Sequence, residues 1–144
     1  MSRRYPIIAV TGSSGAGTST VREAFEHMFR RENINAATVE GDGFHRYSRL
    51  KMKEQIAEAE ARGERISHFG PEGNRWDDLQ KLFENYAKEG SGKYRKYIHN
   101  DAEALEFKEL GLKPGEFTPW ISLRMRKYCF TKGCMAACKP KTST

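Results

Sequence analysis

No apolar run in this chain exceeds a handful of residues, so nothing in it is long enough to cross a bilayer as a helix. The start, MSRRYPIIAVTG, lacks the extended apolar stretch and cleavage site of a secretory signal, and the expectation is a soluble, cytoplasmic protein with no membrane partner. Cysteine is absent before Cys129, and all three cysteines (Cys129, Cys134, Cys138) fall in the final stretch. That same stretch lacks acid: residues 121–144 hold Arg124, Arg126, Lys127, Lys132, Lys139 and Lys141 but no Asp or Glu. Taking those six from the 25 basic residues leaves 19 against 19 acidic ones, so the net charge of +6 belongs wholly to the tail. A neutral body argues against a nucleic-acid partner. No internal repeat, linker or low-complexity stretch divides the first 120 residues, and 144 residues with 38% hydrophobic content suffice for one modest core.

What is present begins with Pro6 to Thr11 (PIIAVT), apolar and β-branched in the manner of a strand buried on both faces of a parallel sheet. From Thr18 the pattern turns helical, with Val21, Phe25, Met28 and Phe29 on one face and Arg22, Glu23, Glu26 and Arg30 on the other. Asn33 or Asn35 stops this helix, and Ala36 to Glu40 (AATVE) follows as a second strand. Residues 50–63 predict a surface helix with a weak stripe through Met52, Ile56 and Ala59. Residues 76–88 predict a stronger amphipathic one, with Trp76, Leu79, Leu82, Phe83 and Tyr86 together. Residues 67–74, 89–93 and 111–119 read as loops.

The glycine-rich turn between the first strand and its helix carries the chemistry. Gly12, Ser13, Ser14, Gly15, Ala16, Gly17, Thr18, Ser19 and Thr20 are small enough for successive backbone N–H groups to converge on an anion, and the helix N-terminus adds partial positive charge. Ser19 or Thr20 supplies a hydroxyl within reach of Mg²⁺. The usual phosphate-loop pattern ends Gly-Lys-Ser/Thr, and Thr18 stands where that lysine is expected. A dinucleotide fingerprint fits less well, because Gly12, Gly15 and Gly17 do not have its spacing.

A second constellation, Glu40-Gly41-Asp42-Gly43-Phe44-His45-Arg46-Tyr47-Ser48-Arg49, follows the second strand. At the carboxyl edge of an open sheet, Asp42 emerges beside the phosphate loop, where it can accept a hydroxyl proton or hold the metal. His45, Arg46 and Arg49 add donors suited to a phosphorylated or polyhydroxylated substrate. Lone histidines are more often structural or exposed, so His27, His68 and His99 are expected to be outside the chemistry. Lys93 follows Gly92, but Ala87 and Tyr94 stand where a second phosphate loop would need a glycine and a hydroxyl.

The stretches PIIAVTGSSGAGTST, VEGDGFHRYSR, SHFGPEGN, GSGKYRKYIHNDAEA and PGEFTPW resemble the bacterial phosphoribulokinases, within the wider phosphoribulokinase and uridine kinase family, over nearly all of residues 5–120. The lysine-less GSSGAGTST is similar to theirs, whereas uridine kinases are expected to keep the lysine. The resemblance implies an α/β fold of the P-loop NTPase type, a parallel sheet flanked by helices, incomplete in this chain. It also implies ATP and Mg²⁺ as cofactors, and transfer of the γ-phosphate to the C1 hydroxyl of D-ribulose 5-phosphate. Asp42 is then the catalytic base, His45 and Arg49 contact the sugar phosphate, residues Gly12 to Thr20 hold the nucleotide, and Ser19 reaches the metal. The intact family is expected to be homo-oligomeric, this fragment not. Another acceptor, such as a nucleoside, and a nonenzymatic nucleotide- or nucleic-acid-binding fragment are the alternatives.

After Trp120 the resemblance stops, where the family continues toward a strand like LFYEGLHGG whose glutamate serves the Mg²⁺-nucleotide. One permitted back-translation of residues 121–139, begun at its third base, encodes IPEDAEILFYEGLHGGLQ. The expectation is therefore a family part at residues 1–120 and a tail at 121–144 translated out of frame. That tail leaves the first strand with an open edge, a poorly folding chain and little kinase activity. Its C-x₄-C-x₃-C spacing lacks a fourth zinc ligand.

Overall fold

The computed structural model describes residues 4–13, 15–124 and 128–133. Along the chain run β1 (Ile7–Thr11), α1 (Thr18–Arg31), β2 (Ala36–Glu40), α2 (Arg49–Ala61), α3 (Trp76–Glu89), β3 (Ser91–Tyr94), α4 (Asp101–Glu106), β4 (Ile121–Arg124) and β5 (Tyr128–Gly133). Short 3₁₀ turns occupy Gly41–Phe44, Pro71–Gly73 and Lys108–Leu110. The first two strands and three longer helices lie where hydrophobic periodicity puts them, within a residue or two at the ends.

The sheet differs from expectation. In place of one parallel sheet of P-loop NTPase type, the chain builds two sheets, and the second, β3 with β4, is antiparallel: Ser91 opposes Arg124 and Tyr94 opposes Ile121. The physical reason lies at the end of α3. Gly90 closes that helix with its N–H on the Tyr86 carbonyl, and the chain turns back against α3. There Gly92 sits so close to Leu82 that an added Cβ would come within 2.3 Å of Leu82 Cδ1. The expected loop at 89–93 is thus partly a strand, paired to a segment about thirty residues away, and its two glycines hide it from any propensity argument.

The other sheet has the order β1-β5-β2, with β5 parallel to both neighbours. Ile7 opposes Cys129 and Thr11 opposes Gly133 on one side; Ala36 opposes Tyr128 and Glu40 opposes Lys132 on the other. The inner edge of β1 is therefore filled by part of the tail, against the expectation that it stays open. Backbone pairing needs no particular side chain, only a segment of the right length at the right distance. The remaining tail cysteines and basic residues, Arg126, Lys127, Cys134, Cys138, Lys139 and Lys141, lie outside the described residues.

The core forms where α3 covers β2 and the antiparallel pair. Ala37, Val39, Phe44, Leu79, Leu82, Tyr86 and Leu123 are buried together, with Tyr5, Ile7, Trp76, Phe83 and Tyr94 packed around them. Burying each large side chain of this set contributes roughly 1.5–3 kcal/mol. On α2, Met52 and Ala59 are buried and Ser48 caps the N-terminus by accepting from the Lys51 N–H. On α1 only Phe29 of the predicted face is fully covered, while Val21 and Met28 are exposed. Arg22 of α1 is ion-paired with Glu40 at the end of β2, fixing the helix to the strand that leads to Asp42. No helix among the described residues is long and apolar enough to cross a membrane.

Candidate active site

Parallel pairing sets the ends of β1 and β2 on one edge. Thr11 opposes Gly133 and Glu40 opposes the adjacent Lys132, so the turns that follow the two strands leave the sheet one strand apart, about 10 Å at the usual strand spacing.

After β1 the chain enters the glycine-rich turn. Gly15 and Gly17 have φ of 80° and 79°, the left-handed region that a Cβ disfavours, and Gly17 is the N-cap of α1. The turn is closed by the Ala16 N–H on the Ser13 carbonyl at 3.0 Å, and the Val21 N–H bonds the Gly17 carbonyl at 3.1 Å. No acidic residue occupies the first turn of α1, so nothing there competes with an anion. Ser13, Gly15, Ala16, Gly17, Ser19 and Thr20 are exposed and Gly12 and Thr18 half-buried; Ser14 lies outside the described residues.

After β2 the 3₁₀ turn Gly41–Phe44 presents Asp42. Its Oδ2 accepts from His99 Nε2 at 3.0 Å, and its Oδ1 lies 3.5 Å from His45 Nε2, beyond a normal hydrogen bond. The imidazoles of His45 and His99 hold the Asp42 carboxyl well below the usual carboxylate range, against the opposing effect of burial. His99 is itself clamped: its backbone N–H and its Nδ1 both donate to Glu103 Oε2, at 2.9 and 3.0 Å. With an acceptor-only carboxylate on each ring nitrogen, His99 carries both hydrogens, and the Asp42 bond, seconded by Glu103, pushes its pKa up to about 9 while burial opposes. The Asp42 side chain remains 35% exposed, enough for a substrate to reach it.

The turn is held by the segment after β3. Arg95 donates from Nε to the Gly43 carbonyl at 2.7 Å and from its guanidinium to the His45 carbonyl. Gly43 is required by this approach, since an added Cβ would lie 1.9 Å from the Arg95 carbonyl oxygen. Arg49 donates to the His99 carbonyl at 3.2 Å and lies over the Tyr97 ring, which in turn packs edge-on against His45, His99 and Phe117. His68 stands 5.6 Å from His45, and burial with the nearby His45 lowers its pKa.

Asp42, His45 and Arg49 are thus brought together, and the phosphate loop sits on the same sheet edge. Sequence reading missed His99, which was expected outside the chemistry and instead touches Asp42. It also missed Glu103, Tyr97 and Asn74. The available signal was their position inside the stretches SHFGPEGN and GSGKYRKYIHNDAEA, which the fold gathers around Asp42. Among the described residues no group of three or more His, Cys, Asp and Glu side chains could hold a metal ion by itself.

Known proteins resemble this chain over most of its length. The sequence profile of the Phosphoribulokinase / Uridine kinase family matches residues 7–135, so the likeness does not stop at Trp120 but runs into the tail. A phosphoribulokinase of Sinorhizobium medicae is 49% identical over 133 residues, covering 92% of this chain and 45% of that protein. The chromosomal phosphoribulokinase of Cupriavidus necator is 52% identical over 124 residues, covering 85% of this chain and 41% of that protein. The solved phosphoribulokinase from Rhodobacter spheroides superimposes with a TM-score of 0.75 at 31% identity, over 92% of this chain and 44% of that one. The chain therefore spans less than half the length of the proteins it matches. On the profile match across nine-tenths of its residues, it belongs to the phosphoribulokinase and uridine kinase family.

Proposed function

We propose that this chain carries the phosphate loop and the acceptor-facing carboxylate of an ATP-dependent kinase that converts D-ribulose 5-phosphate to ribulose 1,5-bisphosphate. The observation that supports it is the register across β5, which sets the loop after Thr11 beside the turn that presents Asp42. The backbone N–H groups of Gly12 to Thr20 bind the triphosphate, and Ser19 Oγ is the side chain that would hold Mg²⁺. When bound, the ion offsets charge developing on the β- and γ-phosphate oxygens.

His99 occupies Asp42 Oδ2, leaving Oδ1 to accept the proton of the substrate hydroxyl as that oxygen bonds to the γ-phosphorus and the bond to the β–γ bridging oxygen breaks, releasing ADP. A strongly acidic Asp42 is compatible with this, because a loose phosphoryl-transfer transition state asks for an oriented hydroxyl more than for a strong base. His45 and Arg49 contact the sugar phosphate from the same turn and the start of α2.

We further propose that residues 121–144 are read in a displaced frame. In the shifted reading LFYEG falls at positions 128–133, the segment that forms β5 between β1 and β2. Sequencing the gene across the Trp120 codon tests this; a frame that no single-base change converts to LFYEG overturns it. Function is tested by ADP release with ribulose 5-phosphate and with uridine, on the chain as given and on the frame-restored product. We expect ribulose 5-phosphate turnover by the restored protein and little by the given chain. Preference for uridine overturns the acceptor, and turnover of neither overturns the kinase assignment.

A further inference from the structure

Helix α4 opens with one half of a capping box: the Asn100 side chain accepts the Glu103 N–H at 2.9 Å. In the usual second half, the glutamate three residues on returns to the N–H of the cap itself. Glu103 instead reaches one residue further back. A single oxygen, Oε2, accepts the His99 backbone N–H at 2.9 Å and the His99 Nδ1–H at 3.0 Å. Two bonds from one residue to one oxygen fix both the place of the ring and its rotation, and Nε2, across the ring, meets Asp42 Oδ2 at 3.0 Å. A glutamate that served only to cap α4 would have no use for the imidazole.

We propose that Glu103 is a positioning residue for phosphoryl transfer: it holds the His99 ring protonated and aimed at Asp42 Oδ2, so that the acceptor hydroxyl can deliver its proton only to Oδ1. This rests on the reading of Asp42 as the group that takes that proton. As the hydroxyl oxygen bonds to the γ-phosphorus and the bond to the β–γ bridging oxygen breaks, the proton passes to Oδ1 and Asp42 becomes neutral. The His99 cation then loses the charge it faced on one side, while Glu103 keeps a negative charge on the other. Glu103 also divides the attraction of His99, which alone would favour ionised Asp42 and oppose proton arrival. Although burial opposes it, the bonds from His99, with Lys96 nearby, hold the Glu103 carboxyl below the usual range. The other groups facing the ring have separate tasks. Arg49 donates to the His99 carbonyl at 3.2 Å, and Tyr97 stands edge-on at 5.0 Å. His45, across Asp42, has the Asn74 amide oxygen 2.9 Å from its Nδ1, a neutral partner where His99 has a charged one.

The first test is long-range ¹H–¹⁵N correlation of the full chain labelled at histidine nitrogens, at about pH 8, above the ordinary histidine range, with His99 assigned by its loss in H99Q. The expected wild-type ring is protonated on both nitrogens, and in E103A the pH at which it loses a proton falls by roughly one unit. A neutral ring in the wild type overturns the proposal, as does an unchanged titration in E103A. The wild-type spectrum needs no substitution, so an unfolded E103A leaves it decisive. In the frame-restored protein, E103A is expected to lower kcat roughly tenfold with little change in KM for ATP, and to add no further loss in an H99Q background. An undiminished loss in that background overturns the route through His99. If instead Asp42→Asn leaves turnover unchanged, the reading of Asp42 fails and the catalytic part of the proposal with it, while the spectrum still shows that Glu103 holds His99.

Discussion

His99 Nε2 donates to Asp42 Oδ2 across 3.0 Å, joining residues 57 positions apart. The bond makes the charge of each depend on the other, and the pH dependence of the fold follows. His99 has its pKa raised from the ordinary 6.5 to about 9, so its stabilising contribution is complete below about 6.5 and is lost as pH rises through about 9. Asp42 is shifted the other way, so its contribution is present above the ordinary carboxylate range and is lost as pH falls below it. Urea midpoints measured against pH should hold a plateau between these limits and decline on both sides. H99Q should abolish the alkaline decline; a decline unchanged in H99Q would assign it elsewhere. E103Q should lower the His99 pKa, read by histidine NMR, because it removes one of the two carboxylates that favour the charged ring.

Asp42→Asn keeps the size of the side chain and removes the carboxylate that we propose takes the hydroxyl proton. In the frame-restored protein, turnover should fall by about 10²–10⁴-fold with little change in ATP affinity. Steady-state kinetics with a separate nucleotide titration decide it, and unchanged turnover removes Asp42 from its role. Histidine NMR of the same variant should show the His99 pKa falling, since its largest support is the Asp42 carboxylate.

Gly43→Ala tests how the turn is packed. The new methyl meets the Arg95 carbonyl oxygen at 1.9 Å, and that oxygen belongs to a backbone that cannot retreat without dragging the Arg95 hydrogen bond to Gly43 with it. The expected cost is roughly 1–3 kcal/mol, read as a lower urea midpoint at unchanged m-value.

The parts legible in the sequence are those that local physics decides. The strand–turn–helix of residues 7–31 shows its apolar run, its small residues and its helical period within thirty positions, and AATVE is as plain. The candidate site was readable only where residues are neighbours in the chain: Asp42, His45 and Arg49 lie within one turn and the helix that follows. His99, Glu103 and Asn74 reach that turn from elsewhere, and a single histidine or asparagine carries no period by which to suspect it. The antiparallel pair was hidden for a related reason, because Ser91–Tyr94 takes its strand character from Ile121–Arg124 and not from its own composition. β5 was unreadable because its strand character comes from backbone pairing with β1 and β2, both more than eighty residues earlier in the chain.

Arg95→Lys separates charge from shape. The guanidinium of Arg95 lies 3.7 Å from the Phe117 ring centroid and 5.0 Å from that of Trp120, while its N–H groups bond the carbonyls of Gly43 and His45. Burial and the nearby Arg75 push its pKa down to about 10, yet it stays charged at neutral pH. One planar group therefore fixes the turn on one side and stacks on the PGEFTPW loop on the other. A lysine keeps the charge but cannot fork to two carbonyls while lying flat on a ring. The expected loss is roughly 2 kcal/mol of stability, together with a broadened His45 signal by NMR as the turn loosens. R95M, which keeps the stem and discards every donor, should be worse on both measures. If R95K matched the wild type in urea midpoint and in the His45 spectrum, the fork would be incidental and the turn held by the Gly43 approach and the Asn74 segment alone.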